Sequence, residues 1–363
     1  MKIKSIRLER YKRFEDRTFD FTHPYSGKPL DLVVLVGENG CGKSSILQAI
    51  AATLGTATGQ ILSPYGLTWD GFNITGIDAN YRGKSEITLD IVFSEDELVA
   101  TREYYDIYNA ENPLPKDTFW DGVKISIANA RPTLALSHTL KLEHGQNEIT
   151  SDYEYGVKAY GWANEFRGRK FAQNLIQSKR QSSTNLFQRV GGIFWYPEYR
   201  TFYSINLFDD SSQSLNTLGT VIRRLITNWF AEDGQARIKK FREIYQMFFN
   251  TRRLLRIEPF STTIDPFIYF EETTTKHIYE LSELSAGERS ILPIIIDFVQ
   301  NDISNSVILI DELELHLHPP LQQSLLSGLE HLGTNNQFII TTHSNYISNL
   351  VPSSRIIRVD DVK

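Results

Sequence analysis

Two kinds of apolar pattern alternate along this chain. Lys2–Leu8 and Glu86–Phe93 alternate apolar and polar residues with period two, which predicts strands with one covered face. Leu32–Val36 and Val307–Ile310 are unbroken apolar runs, as expected of strands buried on both faces in a parallel sheet. Gln337–Thr341 and Arg355–Val359 predict further strands, and Pro266–Phe270 with His277–Leu281 predict a hairpin turning at Thr273–Thr275. Helices are predicted over Lys43–Leu54, over Ser285–Val299 with a kink at Pro293, and over Pro319–Leu332. The last opens on prolines suited to a first turn and closes at Gly333. Between about 95 and 260 the pattern predicts helices at Asn164–Gln181, Leu215–Phe230 and Gln235–Leu255, without the sustained heptad of a long coiled coil. The expected organisation is one α/β domain built from 1–95 and 264–363, with 96–263 a mostly helical insertion.

Composition narrows the class. Hydrophobic residues make up 41% and charged residues 23% of the 363 positions, which suits a folded globular chain and excludes bulk disorder. The longest apolar stretch, near Ser290–Val299, is broken by Pro293 and Asp297 and falls short of the ~18–20 residues of a membrane span. Met1–Arg7 lacks the apolar core of a signal peptide, so a cytoplasmic protein without a membrane partner is expected. Cys41 is the sole cysteine, which excludes an intrachain disulfide and a Cys-based zinc finger.

The net charge of −6 hides an asymmetry: Tyr160–Arg256 carries 16 Lys/Arg against 7 Asp/Glu, leaving −15 elsewhere. Arg167, Arg169, Lys170, Lys179, Arg180, Arg189, Arg237, Lys239, Lys240 and Arg242, with Trp162 and Phe166 nearby, suit a nucleic-acid backbone. They suit the solvated faces of amphipathic helices equally well.

The residues that carry chemistry stand at the ends of the predicted strands. Gly37-Glu38-Asn39-Gly40-Cys41-Gly42-Lys43-Ser44 fits G-x-x-x-x-G-K-[ST] between a strand and a helix. Its glycines let backbone N–H groups converge on a polyphosphate, and the helix dipole favours the same charge. Lys43 would reach the β- and γ-phosphates, and the Ser44 hydroxyl would ligate Mg²⁺. Asp311 and Glu312 end an apolar strand, at the sheet edge where open α/β folds bind ligands. There Asp311 would hold Mg²⁺ and Glu312 would take a proton from attacking water. Alone, the pair would read as two acids capping a strand.

Ser285 and Glu288 have the spacing of a capping box, and Ser285, the Gly287 N–H and the helix dipole also make an anion site. This motif stands 26 residues before Asp311. His343 follows a buried strand, where a phosphate contact and a structural role are both open. His316 and His318 point the same way in an extended segment, but no third ligand is near and no metal is expected there. Cys41 reads as a spacer in the loop.

Taken in order, GENGCGKS, LSAGE, VILIDE and TTHS resemble the Walker A, signature, Walker B and switch-histidine motifs of ABC-type ATPases. IKSIRLERYKRF and the run Glu312–Pro319 resemble the RecF/SMC-like and OLD-like ATPases, which include ATPase subunits of anti-phage systems such as Septu. The likeness covers about 1–95 and 264–363; Trp195–Arg200 (WYPEYR) adds a fainter echo. It implies an ABC-type P-loop NTPase head using ATP and Mg²⁺, in a head-to-head homodimer or higher even-numbered assembly. Each ATP would lie between Gly37–Ser45 of one chain, Ser45 included, and the Ser285–Glu288 motif of another. Glu312 would be the general base and His343 the γ-phosphate contact. Gln60, Gln146 and Gln173 are weak candidates for the family's Q-loop glutamine.

OLD nucleases carry a metal-dependent nuclease domain after the ATPase, whereas 20 residues follow His343 here. The chain is therefore expected to control an effector nuclease, or another toxic protein, supplied in trans. A RecF-like DNA-repair ATPase is the alternative. A transporter cassette is disfavoured by the long middle segment and by the Glu-x-His-x-His-Pro run.

Overall fold

The computed structural model describes residues 1–58, 60–61, 64–72, 85–101, 103, 189–198, 222–223, 225–226, 229, 234–258 and 266–360, with the backbone of four strands between 117 and 160. β1 (Lys2–Tyr11) and β2 (Phe14–Asp20) form a hairpin, after which β3 (Leu32–Val36) enters a second sheet and helix α1 (Lys43–Thr58) follows. β4 (Ser85–Val92) returns to β1, and a separate hairpin of β5 (Asp117–Trp120) and β6 (Val123–Ser126) precedes β7 (Ser137–His144) and β8 (Val157–Tyr160). The antiparallel sheet so formed has the order β2-β1-β4-β7-β8.

β9 (Ile193–Tyr196) joins the sheet of β3, and α2 (Gly234–Phe248) leads to an antiparallel trio of β10 (Arg252–Glu258), β11 (Phe267–Glu272) and β12 (Ile278–Glu280). α3 (Ala286–Asn301), β13 (Val307–Ile310), α4 (Pro319–Leu329), β14 (Gln337–Thr342), α5 (Asn345–Leu350) and β15 (Ile356–Arg358) complete the chain. The second sheet is parallel throughout, in the order β15-β3-β14-β13-β9.

The parallel sheet holds the core. β3, β9, β13 and β14 are buried at every position, as unbroken apolar runs require when both faces are covered. Each fully buried Val, Leu or Ile contributes roughly 1.5–3 kcal/mol over an exposed one. α1 touches β9, β13 and β14 of this sheet and β4 and β7 of the other. It is consequently buried on nearly all sides rather than along one stripe. The hydroxyls of Thr53, Thr56 and Thr58, buried on α1, are satisfied by carbonyls one turn earlier.

Gln337 joins the two sheets. Its fully buried amide accepts from Ile3 N at 2.7 Å and donates to Ile3 O and Leu30 O at 2.9 Å each. A side chain thus replaces a strand-to-strand ladder where the sheets meet.

Residues 96–263, expected as a mostly helical insertion, contribute α2 and also β5–β10. The helix expected over Gln235–Leu255 ends at Phe248, because Arg252–Glu258 pairs with β11 and Leu254 turns into the core at 3% exposure. Asn164–Gln181 lies outside the described residues, while the described positions of Leu215–Phe230 are helical. Among the described residues the longest helices, α1 and α3, run 16 residues each, so no long coiled coil occurs there.

Candidate active site

The phosphate-loop residues leave the end of β3 and enter α1 at Lys43. Glu38, Asn39 and Gly40 are exposed, Cys41 is buried, and Lys43 is 5% exposed. The Lys43 ammonium donates to Gly37 O at 2.9 Å and Glu38 O at 3.0 Å, and stands 3.5 Å from His343 Nδ1. Three residues absent from the sequence-based site brace the loop. Arg13 donates to Gly40 O, the Phe14 ring lies against Gly42, and Asp360 accepts from Glu38 N at 3.1 Å. Asp360 arrives there because β15 runs parallel to β3, with Arg358 level with Val36. The Tyr-Lys-Arg-Phe run was a visible signal for Arg13; nothing local marked Asp360.

Ser44, Asp311, Glu312 and His343 converge on this loop from three elements. β13 carries Asp311 to the sheet edge at 4% exposure, where its Oδ1 accepts from Ser44 Oγ at 3.0 Å and Thr341 Oγ1 at 2.5 Å. Burial pushes the Asp311 pKa up, against the pull of these hydroxyls and of Lys43. Ser44 and Asp311 are hard oxygen donors in contact, a set that fits Mg²⁺.

Glu312 adopts a left-handed backbone, φ 44°, a conformation that costs a non-glycine residue ~1–2 kcal/mol. Its amide donates to Thr341 Oγ1 at 2.8 Å, and its carboxylate lies 4.0 Å from His343 Nε2. Burial raises the Glu312 pKa, and the charges of Glu198, Asp311 and Glu314 push it the same way. The His343 amide donates to the Glu314 carboxylate, which ties the histidine to the turn after β13.

Ser285, Gly287 and Glu288 form a second cluster at the start of α3. Ser285 caps the helix, its hydroxyl accepting from Glu288 N at 3.2 Å while Glu288 Oε2 accepts from Ser285 N at 3.0 Å. The capping box is realised in full. Glu288 was expected to face the ligand, but it is 1% exposed and turned inward. Its Oε1 accepts from Tyr245 and Tyr279 at 2.7 and 2.9 Å, and its Oε2 pairs with Arg252 at 2.6 Å. Burial alone would raise its pKa; the hydrogen bonds from Ser285 and Tyr245 and the Arg252 charge outweigh burial and lower it. Gly287 packs beneath the segment that follows Glu312: a Cβ there would stand 3.1 Å from Leu321 Cδ2 and 3.2 Å from His316 O.

The remaining sequence candidates have other surroundings. His318 Nδ1 accepts from Leu321 N at 3.3 Å and caps α4. Gln60 brackets Ile193 of β9, donating to its carbonyl at 2.8 Å and accepting from its amide at 2.9 Å; Gln146 and Gln173 lie outside the described residues. So do Trp162, Phe166, Arg167, Arg169, Lys170, Lys179 and Arg180. Within the described basic set, Arg189 pairs with Glu103 at 2.6 Å, Lys240 with Asp302, and Lys239 lies 3.9 Å from Glu243. Among the described residues no helix is long and apolar enough to cross a membrane.

Known proteins share the fold and parts of the sequence. The chain is similar in fold to an SMC head bound to the C-winged helix domain of ScpA, with a TM-score of 0.54, 14% identity, and coverage of 99% of this chain and 94% of that one. It is 24% identical over 406 residues to the Retron Ec83 probable ATPase of Escherichia coli, covering 98% of this chain and 71% of that protein. The Retron Vc95 probable ATPase of Vibrio cholerae serotype O1 biovar El Tor is 23% identical over 410 residues, covering 100% and 74%. The Septu protein PtuA of Bacillus mycoides (strain KBAB4) is 24% identical over 353 residues, covering 94% of this chain and 38% of PtuA. The family model described as AAA ATPase domain matches residues 1–348. The chain belongs to the AAA ATPase domain family.

Proposed function

We propose that the chain hydrolyses ATP and acts as the nucleotide-controlled subunit of an anti-phage defence complex. The observation that carries the catalytic part is the convergence of Lys43, Ser44, Asp311, Glu312 and His343 at one sheet edge. In this reading Gly37–Ser45 cradle the triphosphate, with Lys43 transferring its hydrogen bonds from loop carbonyls to phosphate oxygens. Ser44 and Asp311 hold Mg²⁺, which would neutralise charge on the β- and γ-phosphates. Glu312 takes the proton from the attacking water, and its raised pKa improves it as an acceptor. His343 orients the γ-phosphate.

The second cluster belongs to a partner's site in the same proposal. Ser285 and Gly287 lie at the start of α3, where a helix N-terminus favours an anion. Two copies arranged head to head would place each cluster over the other's phosphate loop. The packing of Gly287 on the segment after Glu312 then couples the two sites of one chain.

The defence role is supported by the likeness to the retron ATPases and to Septu PtuA. An effector nuclease or another toxic protein supplied by a second chain is the expected partner, and nucleotide state is its control. The test is affinity purification from the native host with the stoichiometry of co-purifying chains read by mass spectrometry. The proposal expects a stoichiometric effector whose retention changes in a Lys43→Ala variant. Recovery of a lone dimer carrying only DNA would contradict it and favour a repair ATPase.

A further inference from the structure

Thr341, the fifth residue of β14, is fully buried and turns its polar atoms onto the turn after β13. Its hydroxyl donates to Asp311 Oδ1 at 2.5 Å and accepts from the Glu312 amide at 2.8 Å. Its carbonyl accepts from the Leu313 amide at 3.0 Å. The directions are set by the partners, since an ionised carboxylate can only accept and an amide N–H can only donate. The hydroxyl proton therefore points at Asp311, and the lone pairs face Glu312.

Two consequences follow for the turn. Asp311 Oδ1 receives two hydroxyl donors, Ser44 from α1 and Thr341 from β14, which fixes the carboxylate's orientation. Glu312 is held in its left-handed conformation by bonds to one residue on either side of that φ angle, through its own amide and through that of Leu313. Valine would fill nearly the same volume and make neither side-chain bond.

We infer that Thr341 is a positioning residue that aligns Asp311 and Glu312 together through a single hydroxyl. The inference rests on the ATPase reading above and extends it to a residue that acts only through those two carboxylates. Groups that orient a metal-holding carboxylate typically change metal affinity or activity by roughly 10–100-fold when removed. The hydroxyl, and not the β-branched shape, is the feature that matters.

The experiment compares full-length wild type with Thr341→Val, Thr341→Ser and Glu312→Gln. Three quantities are read: kcat, KM for ATP, and the Mg²⁺ concentration that half-saturates binding of a fluorescent ATP analogue. Thr341→Val is expected to lose roughly 10–100-fold in kcat and to need about ten times more Mg²⁺ for half-saturation, with KM little changed. Thr341→Ser restores both. A purely structural residue would lower the melting temperature and leave the Mg²⁺ dependence in place. If valine prevents folding, Thr341→Ala also lacks the hydroxyl and carries the same expectation. Wild-type kcat and Mg²⁺ dependence in Thr341→Val beside an inactive Glu312→Gln would overturn this inference alone, as would equal impairment of the Ser and Val variants. Wild-type turnover in Glu312→Gln would overturn the site reading and the inference with it.

Discussion

Ser44 Oγ donates to Asp311 Oδ1 at 3.0 Å across 267 positions of sequence. The first turn of α1 and the end of β13 are thereby joined by protein atoms at the place where the proposed function puts Mg²⁺. The two donors come from a helix start and a strand end, elements rigid enough to keep a metal site in register.

The glycines of the phosphate loop differ in what they tolerate. Gly40 has φ +74° with nothing within 4 Å of a Cβ, whereas Gly42 has φ +102° and its Cβ would stand 2.5 Å from the Phe14 ring. Gly40→Ala should therefore cost only the backbone penalty, about 1–2 kcal/mol. Gly42→Ala adds overpacking and should cost about 2–6 kcal/mol. Urea unfolding of both variants measures this, and equal losses would contradict the assigned packing.

Glu288 makes stability depend on pH in a defined direction. Its folded-state pKa lies below the ordinary glutamate value. The stabilisation is thus complete at neutral pH and is lost as pH falls from the ordinary glutamate range through the lowered folded value. Glu288→Gln removes the carboxylate that pairs with the partly exposed Arg252 and should cost about 1.5–3 kcal/mol at pH 7. The variant should lose less further stability on acidification than wild type. Urea midpoints at neutral and acidic pH test this; identical acid slopes would count against it.

Glu198 stands just past the end of β9, and β9 pairs in register with β13 so that Tyr196 is level with Ile310. Its charge is the largest electrostatic contribution raising the Glu312 pKa, after burial. Replacing it by glutamine removes a negative neighbour, makes Glu312 easier to ionise and lowers its pKa. If ionised Glu312 is the base, the acid limb of the kcat–pH profile should move to lower pH in Glu198→Gln. An unmoved limb, or one displaced upward, would show that Glu198 does not act on the base.

The parallel core was legible because β3, β13 and β14 are apolar without interruption, a pattern set by burial alone. The capping box was legible because Ser285 and Glu288 meet within one helical turn. What distant chain segments decide was not visible. Arg252–Glu258 continues a helical-looking run, yet becomes a strand because β11 offers a partner and Glu271 pairs with Arg253 at 2.6 Å. β9 read only as a faint motif echo, because four apolar residues show their place only once β13 lies beside them. Glu288 looked ligand-facing because Tyr245, Arg252 and Tyr279 approach it from elsewhere in the sequence. Thr341 gained its contacts only when β14 came beside β13, and Asp360 only when β15 came beside β3.

The most direct measurement of the central claim is phosphate release by Glu312→Gln beside wild type, with ATP affinity measured on the same preparations and Lys43→Ala as the non-binding control. The account predicts that Glu312→Gln binds ATP with near wild-type affinity, releases phosphate at least about 100-fold more slowly, and accumulates as an ATP-bound dimer. Lys43→Ala should not bind. Wild-type turnover in Glu312→Gln would contradict the account.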